Sequence, residues 1–529
     1  MSAPEFAGRT AVVTAAAAGT GLATARLLVT GGARVAYLAP DPRDLPEPLI
    51  RVHTDFADDH SVRAGVAWAA ELLGGIDLLV NVAGSGTRGG ADRPADESPG
   101  APEAAQGVWF NSRPKAGLSE ERQFVRHVEI EGLPTGGWGY AFLPYVARYV
   151  RPLGLPTLSH TGRFHESWGD NAAPKPRAAL HYECSQMLSL GLTRGVGDVL
   201  HPRGALSPAV YELIGSVYGH VERCEPFIDG GRVVSEVAVL VDPALGDNPG
   251  ASGIGAVRAL QHLRAQFDLL PPDSDLTGYR VVVVPESTPV DDALAVRLQQ
   301  YRENGGAVLL IGPALLKNGT EPALPDLPVE GLAPAAVGES FLACEGVPGV
   351  PADFPVISYG SRLTARAAAG AEVLARVVAP YFPRSWDRFC GHSYTPPADL
   401  TDEVAVAVGG GVAAVTVPLL EAFHEHGLEA YRHLLGAALD RLLPDPLVRA
   451  GGPVHLETTV VRTPTGTTLN LISFVPARET PTLDLVHDPS RWSTSPSRCG
   501  WTVSRCPCGC NPRDGTCPGS TTAPTSTCG

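Results

Sequence analysis

Residues 126–140 read RHVEIEGLPTGGWGY, a short alternating strand that runs into a loop rich in glycine and aromatic residues. Two similar units follow: PTLSHTGRFHESWGD at 156–170 and LTRGVGDVLHP at 192–202 each precede a helical segment. A strand, a polar loop and a helix that recur roughly every 35 residues are typical of a (β/α) barrel. We therefore predict that residues 107–230 form part of a (β/α)8 barrel.

Acidic, histidine and aromatic side chains cluster at the carboxyl ends of these strands, where barrels carry their chemistry. The candidate catalytic residues are Glu129 and Glu131. The candidate substrate-binding residues are Trp138, Tyr140, His165, Glu166, Trp168, Asp170, Asp198 and His201. Paired carboxylates can serve as acid and as base or nucleophile in glycoside hydrolysis, and aromatic rings can pack on sugar faces. This pattern predicts a sugar substrate.

Structural roles compete with these assignments. Glu129 and Glu131 share one strand face only if both belong to the same strand, and one of them could instead pair with an arginine. Asp170 and Asp198 each adjoin a glycine and could be turn formers. The histidines suit binding of sugar hydroxyls or fixing of loops better than general-base catalysis. No His or Cys pair in this region has the spacing of zinc ligands, so no metal is predicted.

These motifs resemble those of bacterial glycoside hydrolases of the β-galactosidase and α-L-fucosidase kind, which carry a trimerisation domain after the barrel. The resemblance covers about residues 108–228, through the motifs at 129–140, 161–170 and 197–202. It implies a cofactor-independent hydrolase of galactosides or fucosides. It matches only the last four of eight barrel strands, so at least one essential carboxylate is expected on strands without a match. The implied hydrolase is therefore truncated, and its activity is doubtful.

The N-terminal 90 residues have a different pattern. Residues 8–40, GRTAVVTAAAAGTGLATARLLVTGGARVAYLAP, give a strand, a small-residue turn, a helix and a second strand. Glycines in such a turn let the backbone approach a pyrophosphate at the helix N-terminus, where free N–H groups favour anions. The candidate cofactor-binding residues are Thr14, Gly19, Gly21, Asp55, Asn81 and Gly84. We predict a partial dinucleotide-binding (Rossmann) unit at 1–90.

This unit resembles the short-chain dehydrogenase/reductase family. Thr14-Ala15-x3-Gly19-Thr20-Gly21 matches the family's glycine-rich turn, with alanine at its first glycine, and Asn81-Val82-Ala83-Gly84 matches its Asn-Asn-Ala-Gly motif. The resemblance implies NAD(P) as a possible cofactor, with Asp55 at the adenine-binding position. The family's catalytic Tyr precedes a Lys by four residues, but no Tyr-x3-Lys occurs here. Dehydrogenase activity is therefore not expected, and NAD(P) binding is the alternative function.

Beyond the barrel, strand and helix patterns alternate again. Strands are predicted at 234–241, 279–285 and 307–311 and helices at 256–267 and 291–304, a doubly wound α/β arrangement. The glycoside hydrolase resemblance implies that residues 231–445 form a trimerisation domain similar to class I amidotransferases, and hence a homotrimer. That fold's cysteine nucleophile is absent here, which favours an oligomer-forming role. A hairpin of a small β domain is predicted at 446–488.

The remaining segments and the composition complete the sequence-based prediction of an α/β chain. Residues 91–106 are polar and rich in Gly and Pro, typical of a linker. Residues 489–529 lose hydrophobic periodicity and hold six of the ten cysteines, so a disordered tail, as a shifted reading frame would give, is favoured over a zinc or disulfide knot. The net charge of −15 argues against nucleic-acid binding. No apolar run is long enough for a membrane span, and no signal-like segment begins the chain, so a cytoplasmic location is expected.

Overall fold

The computed structural model describes residues 6–14, 20–43, 45–55, 58–81, 122, 125, 127–199, 201–241, 250–336, 339–480, 483–487 and 501–503. The chain divides into two compact units, one of residues 1–110 and 117–128 and one of residues 111–116 and 129–529. The predicted linker at 91–106 lies outside the described residues.

The first unit holds a four-stranded parallel sheet in the order β3-β2-β1-β4. Its elements are β1 (Thr10–Thr14), α1 (Thr20–Thr30), β2 (Arg34–Ala39), β3 (Ile50–His53), α2 (Asp59–Leu73) and β4 (Leu78–Asn81). Side chains alternate across the sheet, so Val13 and Tyr37 pack in one core while Val12 and Leu38 pack in another. Burial on both faces explains why these strands are almost continuously apolar. The predicted Rossmann-like unit is confirmed.

The second unit begins with three strands in the order β5-β6-β7, of which β6 and β7 are parallel. The elements are β5 (Val128–Glu131), α3 (Phe142–Val150), β6 (Thr157–Gly162), α4 (Arg177–Ser189), β7 (Thr193–Gly197) and α5 (Pro208–Cys224). Helices α4 and α5 pack through a shared cluster that includes Leu180, Cys184 and Val217. The alternation of strand, loop and helix agrees with the barrel-type pattern expected from sequence. Residues 108–111, Val-Trp-Phe-Asn, have a sequence typical of a further short strand and lie outside the described residues.

A nine-stranded sheet follows in the order β10-β9-β11-β12-β21-β20-β19-β16-β17. Its strands are β9 (Val237–Leu240), β10 (Phe267–Leu270), β11 (Val281–Val284), β12 (Ala307–Ile311), β16 (Ser340–Ala343), β17 (Val356–Ser358), β19 (Glu372–Pro380), β20 (Pro397–Gly409) and β21 (Val412–Val415). The strands from β10 to β21 in this order are parallel, and the rest pair antiparallel. The accompanying helices are α6 (Gly250–His262), α7 (Asp292–Glu303), α8 (Leu419–His426) and α9 (Glu429–Leu442).

Two differences from the sequence prediction concern this sheet. The helix predicted at 256–267 ends at His262, and Phe267 begins strand β10. Arg264 lies between them with a φ of 60°, a left-handed conformation that turns the chain out of the helix. The structure also has several strands between residues 340 and 409, a part of the region 231–445 for which no individual elements were predicted.

Shorter strands complete the second unit: β8 (Arg232–Val233), β13 (Leu316–Lys317), β14 (Glu321–Pro322), β15 (Val329–Pro334), β18 (Leu363–Ala367), β22 (Val448–Ala450), β23 (Leu456–Thr463), β24 (Gly466–Ser473), β25 (Ala477–Arg478), β26 (Asp484–Leu485) and β27 (Trp501–Val503). Strands β23 and β24 form the expected hairpin, and β8 pairs with β23. Strand β27 pairs antiparallel with β22, so the disorder predicted for the tail does not hold for its three residues. The other tail residues lie outside the part of the chain that the structure describes.

Glu457 on β23 connects three segments that the sequence assigned to separate domains. Its carboxylate accepts a hydrogen bond from the Tyr182 hydroxyl on α4. It also accepts bonds from Gln186 Nε2 at 3.0 and 3.1 Å and from Gln261 Nε2 on α6 at 3.2 Å. A second polar contact, from Arg151 Nε after α3 to Asp268 Oδ1 on β10 at 2.5 Å, joins the same regions. Residues 129–487 therefore pack as one unit.

Candidate functional site

The two candidate carboxylates lie on the same face of β5. Val128 and Ile130 are buried, whereas Glu129 and Glu131 alternate with them and are partly exposed. Both carboxylates face His160 of the neighbouring strand β6: Glu129 Oε1 lies 3.0 Å from Nδ1, and Glu131 Oε1 lies 3.9 Å from Nε2. The imidazole therefore lies between the two acids.

His160 was missed by the sequence analysis. It is a partly exposed residue of β6, and its neighbours Ser159 and Thr161 are buried. The same alternation that marked Glu129 and Glu131 could have marked it as a residue facing the site. No local motif drew attention to it, because its two partners lie about 30 residues earlier on another strand.

Trp168 lies beside the triad formed by Glu129, His160 and Glu131, on the loop that follows β6. Its ring makes edge contacts with His160, at a centroid distance of 6.4 Å, and with Phe164, at 5.1 Å. It also covers Gly197 at the end of β7, where an added Cβ would lie only 2.4 Å from Trp168 Cζ3. The residue remains 47% exposed, so a ring face is available for stacking. Gly197 is thus required by the position of the indole.

The candidate aspartates hold loops, as the structural alternative proposed. Asp198 Oδ1 accepts a hydrogen bond from Arg163 Nε at 2.7 Å and from its neighbour Val199 N at 2.8 Å. Asp170 Oδ1 accepts from Ala172 N at 2.8 Å. Arg163 was not singled out from the sequence, although it links the loop that carries Asp170 to the loop that carries Asp198.

Tyr140 belongs to a buried polar network rather than to an open surface. Its hydroxyl donates to Glu183 Oε1 at 3.1 Å. Burial and the nearby Glu183 carboxylate raise the pKa of Tyr140 well above its ordinary value, so it stays protonated. Glu183 also pairs with Lys175, and Thr161 contacts both. Neither Glu183 nor Lys175 was predicted, because nothing in the local sequence distinguishes a buried ion pair.

The remaining candidates lie on the loops around the strands. The ring of Trp138 packs edge-on against Phe142 at a centroid distance of 4.7 Å. Glu166 is exposed, and its backbone oxygen accepts a bond from Thr135 Oγ1 at 3.1 Å. His165 is partly exposed. His201 is exposed, and its Nδ1 accepts from Arg203 N at 3.2 Å. The structure therefore brings Glu129, Glu131 and Trp168 together around His160, with the other candidates in supporting or peripheral positions.

In the first unit, the described candidates follow strand ends. Thr14 ends β1, Asn81 ends β4, and Asp55 follows β3 with its backbone N–H bonded to Ser61 Oγ at 3.0 Å. Because β1, β3 and β4 are parallel, their carboxyl ends meet at one edge of the sheet, where nucleotides bind in such folds. Gly21 lies in the first turn of α1. Gly19 and Gly84 lie outside the described residues.

Among the described residues, no three or more His, Cys, Asp or Glu side chains are grouped so as to hold a metal ion. None of the helices that the structure describes is long and apolar enough to cross a membrane.

Comparisons with known families match the two units separately. A family model for the short chain dehydrogenases matches residues 9–98, and one for the β-galactosidase trimerisation domain matches residues 257–313. The chain joins segments of two protein families. We call residues 9–98 the dehydrogenase-like segment and residues 128–487 the hydrolase-like segment.

Curated relatives match the chain over short stretches. A cis-4-hydroxycyclohexanecarboxylate dehydrogenase of Sinomonas cyclohexanicum is 43% identical over 88 residues, which is 15% of this chain and 35% of the relative. A (+)-cis,cis-nepetalactol synthase of Nepeta racemosa is 33% identical over 93 residues, 16% of this chain and 34% of the relative. The chain thus spans about a third of the length of the curated relatives it matches.

Solved structures of two glycoside hydrolases resemble the chain in fold. The α-L-fucosidase isoenzyme 2 of Paenibacillus thiaminolyticus superposes with a TM-score of 0.69 at 23% identity, covering 88% of this chain and 71% of that one. A β-galactosidase of Rahnella sp. R3 has a TM-score of 0.51 at 15% identity, covering 67% of this chain and 56% of that one. At these identities the similarity is one of fold.

Proposed function

We propose that the hydrolase-like segment is a carbohydrate-active, glycoside-hydrolase-like module that recognises galactosides or fucosides at the Glu129–His160–Glu131 triad. The observation that carries this proposal is the placement of two carboxylates on one strand face beside a half-exposed tryptophan. Carboxylates bind sugar hydroxyls and can transfer protons to a glycosidic oxygen, while an indole packs on the apolar face of a pyranose. The similarity in fold to an α-L-fucosidase and to β-galactosidases supports the same substrate class.

Within the triad, Glu131 is the better candidate for proton transfer. Glu129 is within hydrogen-bond distance of His160 at 3.0 Å, whereas Glu131 is 3.9 Å away and is not held by the imidazole. Hydrolysis needs one carboxylic acid to protonate the leaving oxygen and one carboxylate to act as nucleophile or base. In this proposal Glu131 would serve as the acid and Glu129 would orient His160 against the sugar. Sugar binding is the core of the proposal, because a proton from Glu131 completes hydrolysis only together with a second carboxylate that acts as nucleophile or base.

The test is a comparison of the wild-type chain with Glu131→Gln. Galactose and fucose are titrated while tryptophan fluorescence is followed, and release of nitrophenol from aryl galactosides and fucosides is measured in parallel. We expect saturable binding by the wild type, weakened by the substitution, and any nitrophenol release to disappear with it. Glu222→Gln, at an exposed position of α5, is the matched control and should leave both sugar binding and nitrophenol release unchanged. A wild-type chain that binds neither sugar class contradicts the proposal.

We propose nucleotide binding as a second function, for the dehydrogenase-like segment. It is supported by the match to the short chain dehydrogenases and by the meeting of Thr14, Asp55 and Asn81 at one sheet edge. NAD(P) is the cofactor that this family resemblance indicates, and binding without hydride transfer is expected because the chain holds no Tyr-x3-Lys. Titration of NADH and NADPH, read by energy transfer from tryptophan, checks this. Binding that is unchanged by Asp55→Ala would contradict the assigned adenosine site.

We propose that the sheet-containing region 231–445 assembles the chain into a homotrimer. The support is the match of residues 257–313 to a trimerisation domain. The parallel part of the nine-stranded sheet also has the doubly wound pattern expected for an amidotransferase-like scaffold. Light scattering during gel filtration should give three times the mass of 55.3 kDa, and a monomeric mass at micromolar concentration would refute the proposal.

A further inference from the structure

The most enclosed ionic group near the candidate site is Lys175. Its residue is 2% exposed, and its Nζ lies 2.6 Å from Glu183 Oε2 and 2.9 Å from Thr161 Oγ1. Thr161 in turn donates to the same Glu183 oxygen at 2.5 Å. The ammonium, the carboxylate and the hydroxyl therefore form a closed triangle. A charge is retained in a protein interior only when it is paired in this way.

This triangle lies at the base of the loop that carries Trp168. The loop spans residues 163–175 and is closed by backbone hydrogen bonds from Lys175 N to the Arg163 oxygen at 2.7 Å and from His165 N to the Ala173 oxygen at 3.1 Å. Lys175 is the last residue of the loop, and Thr161 belongs to the strand from which the loop departs. The side chain of Lys175 thus ties the returning end of the loop to the strand that also holds His160.

Trp168 stands in the middle of this loop, and one part of its ring contacts the neighbouring strand end and loop. Its ring lies over Gly197 and packs edge-on against Phe164, which is itself bridged to Pro174 next to Lys175. A shift of the loop base would therefore be passed to the indole through Phe164. The indole makes an edge contact with His160, the central residue of the triad.

We propose that Lys175 is a positioning residue: by pairing with Glu183 and Thr161 it fixes loop 163–175 and so sets the orientation of Trp168 at the carbohydrate site. The part that concerns sugar binding rests on the proposed function. The part that concerns the indole does not, so the two can be tested apart.

The experiment uses the full chain labelled with 5-fluorotryptophan and observed by fluorine NMR. The sequence holds seven tryptophans, and the Trp168 resonance is assigned by its loss in Trp168→Phe. Two variants are compared with the wild type: Lys175→Met, which removes the ammonium at similar side-chain length, and Lys175→Met/Glu183→Gln, which removes both charges. The double variant retains no unpaired buried charge and keeps the test decisive if the single variant does not fold. Lys317→Met, at a lysine that pairs with Asp292 and Glu321 far from the loop in sequence, is the matched control.

We expect the Trp168 resonance to shift or broaden in each folded Lys175 variant, while those of Trp68 and Trp386 stay in place. The control variant should leave all three unchanged. Galactose or fucose affinity should fall roughly tenfold with the displacement, the scale of losing one well-placed aromatic contact. An unchanged Trp168 resonance overturns the proposal, as does a shift in the single variant that the neutral double variant abolishes. A shifted resonance in a protein that binds neither sugar supports the positioning role and removes the proposed function instead.

Discussion

Glu457 offers the sharpest test of how the hydrolase-like segment holds together. Replacing it with alanine removes the acceptor for the Tyr182 hydroxyl and for the side-chain amides of Gln186 and Gln261. Tyr182 and Gln186 are buried, so each would lose one hydrogen bond at a buried donor, while Gln186 Nε2 keeps its 3.0 Å bond to the Tyr182 hydroxyl. Each buried donor left unsatisfied costs about 1–3 kcal/mol, whereas Gln261 is partly exposed and can be hydrated. The expected loss is therefore about 4 kcal/mol.

A second effect acts in the same direction. Arg148 is buried. Desolvation and, to a smaller extent, the positive charge of Arg151 lower its pKa to about 9, and the Glu457 carboxylate is the strongest influence in the opposite direction. Removing the Glu457 carboxylate leaves the Arg148 guanidinium with less compensation. Glu457→Gln retains the shape and one acceptor oxygen, so it should cost a small part of the loss caused by alanine.

Calorimetry measures this directly. In a unit of this size about 1 kcal/mol corresponds to roughly 2 °C in melting temperature, so Glu457→Ala should melt about 8 °C below the wild type. Glu345→Ala, at an exposed position, is the control and should melt within 1–2 °C of the wild type, as surface changes usually do. Equal melting temperatures for Glu457→Ala and the control would refute the argument that this carboxylate joins α4, α6 and β23.

Three further outcomes are expected. Burial is the main cause that lowers the pKa of His181 and of His262 to about 4. Between about pH 6.5 and 4 the unfolded chain binds protons that the folded chain does not, so stability is full above this window and falls as the pH drops through it. The fall should be on the order of 1 kcal/mol per histidine after solvent screening, and His181→Gln should flatten the urea-midpoint profile over this range. Gly197→Ala would place a Cβ 2.4 Å from Trp168 Cζ3, and should weaken sugar binding in a fluorescence titration by roughly tenfold. Gly215→Ala, in α5 with open space around the new methyl, should raise stability by about 0.5–1 kcal/mol in thermal unfolding, and a lower melting temperature would contradict this.

The local sequence pattern was sufficient to predict much of the fold. The strand Ala307–Ile311 was located at its observed bounds, and the helix predicted at 291–304 is found at Asp292–Glu303. Both have clear signals: a continuous apolar run for a buried parallel strand, and an Asp N-cap for the helix. The extension of the helix to Phe267 failed because a left-handed turn at Arg264 has no strong signature in a non-glycine residue.

The candidate site was predictable only where its residues are close in sequence. Glu129 and Glu131 share a strand face, which follows from two-residue alternation. His160, Lys175 and Glu183 depend on contacts between separate strands and helices, and Glu457 meets Tyr182 across 275 residues. Such pairings are set by tertiary packing, and a single sequence carries no local trace of them.

The enclosure of Lys175 makes it a natural reporter of loop opening. An acylating reagent such as an N-hydroxysuccinimide ester needs an uncharged, accessible amine, and the ammonium of Lys175 is neither while it remains against Glu183. Mass spectrometry of the peptide that contains it would therefore record how often the loop base separates. Lys317, with a quarter of its side chain exposed, provides the internal reference for reagent reactivity. A chain with so few lysines thus allows a footprinting measurement whose signal comes from a small number of known positions.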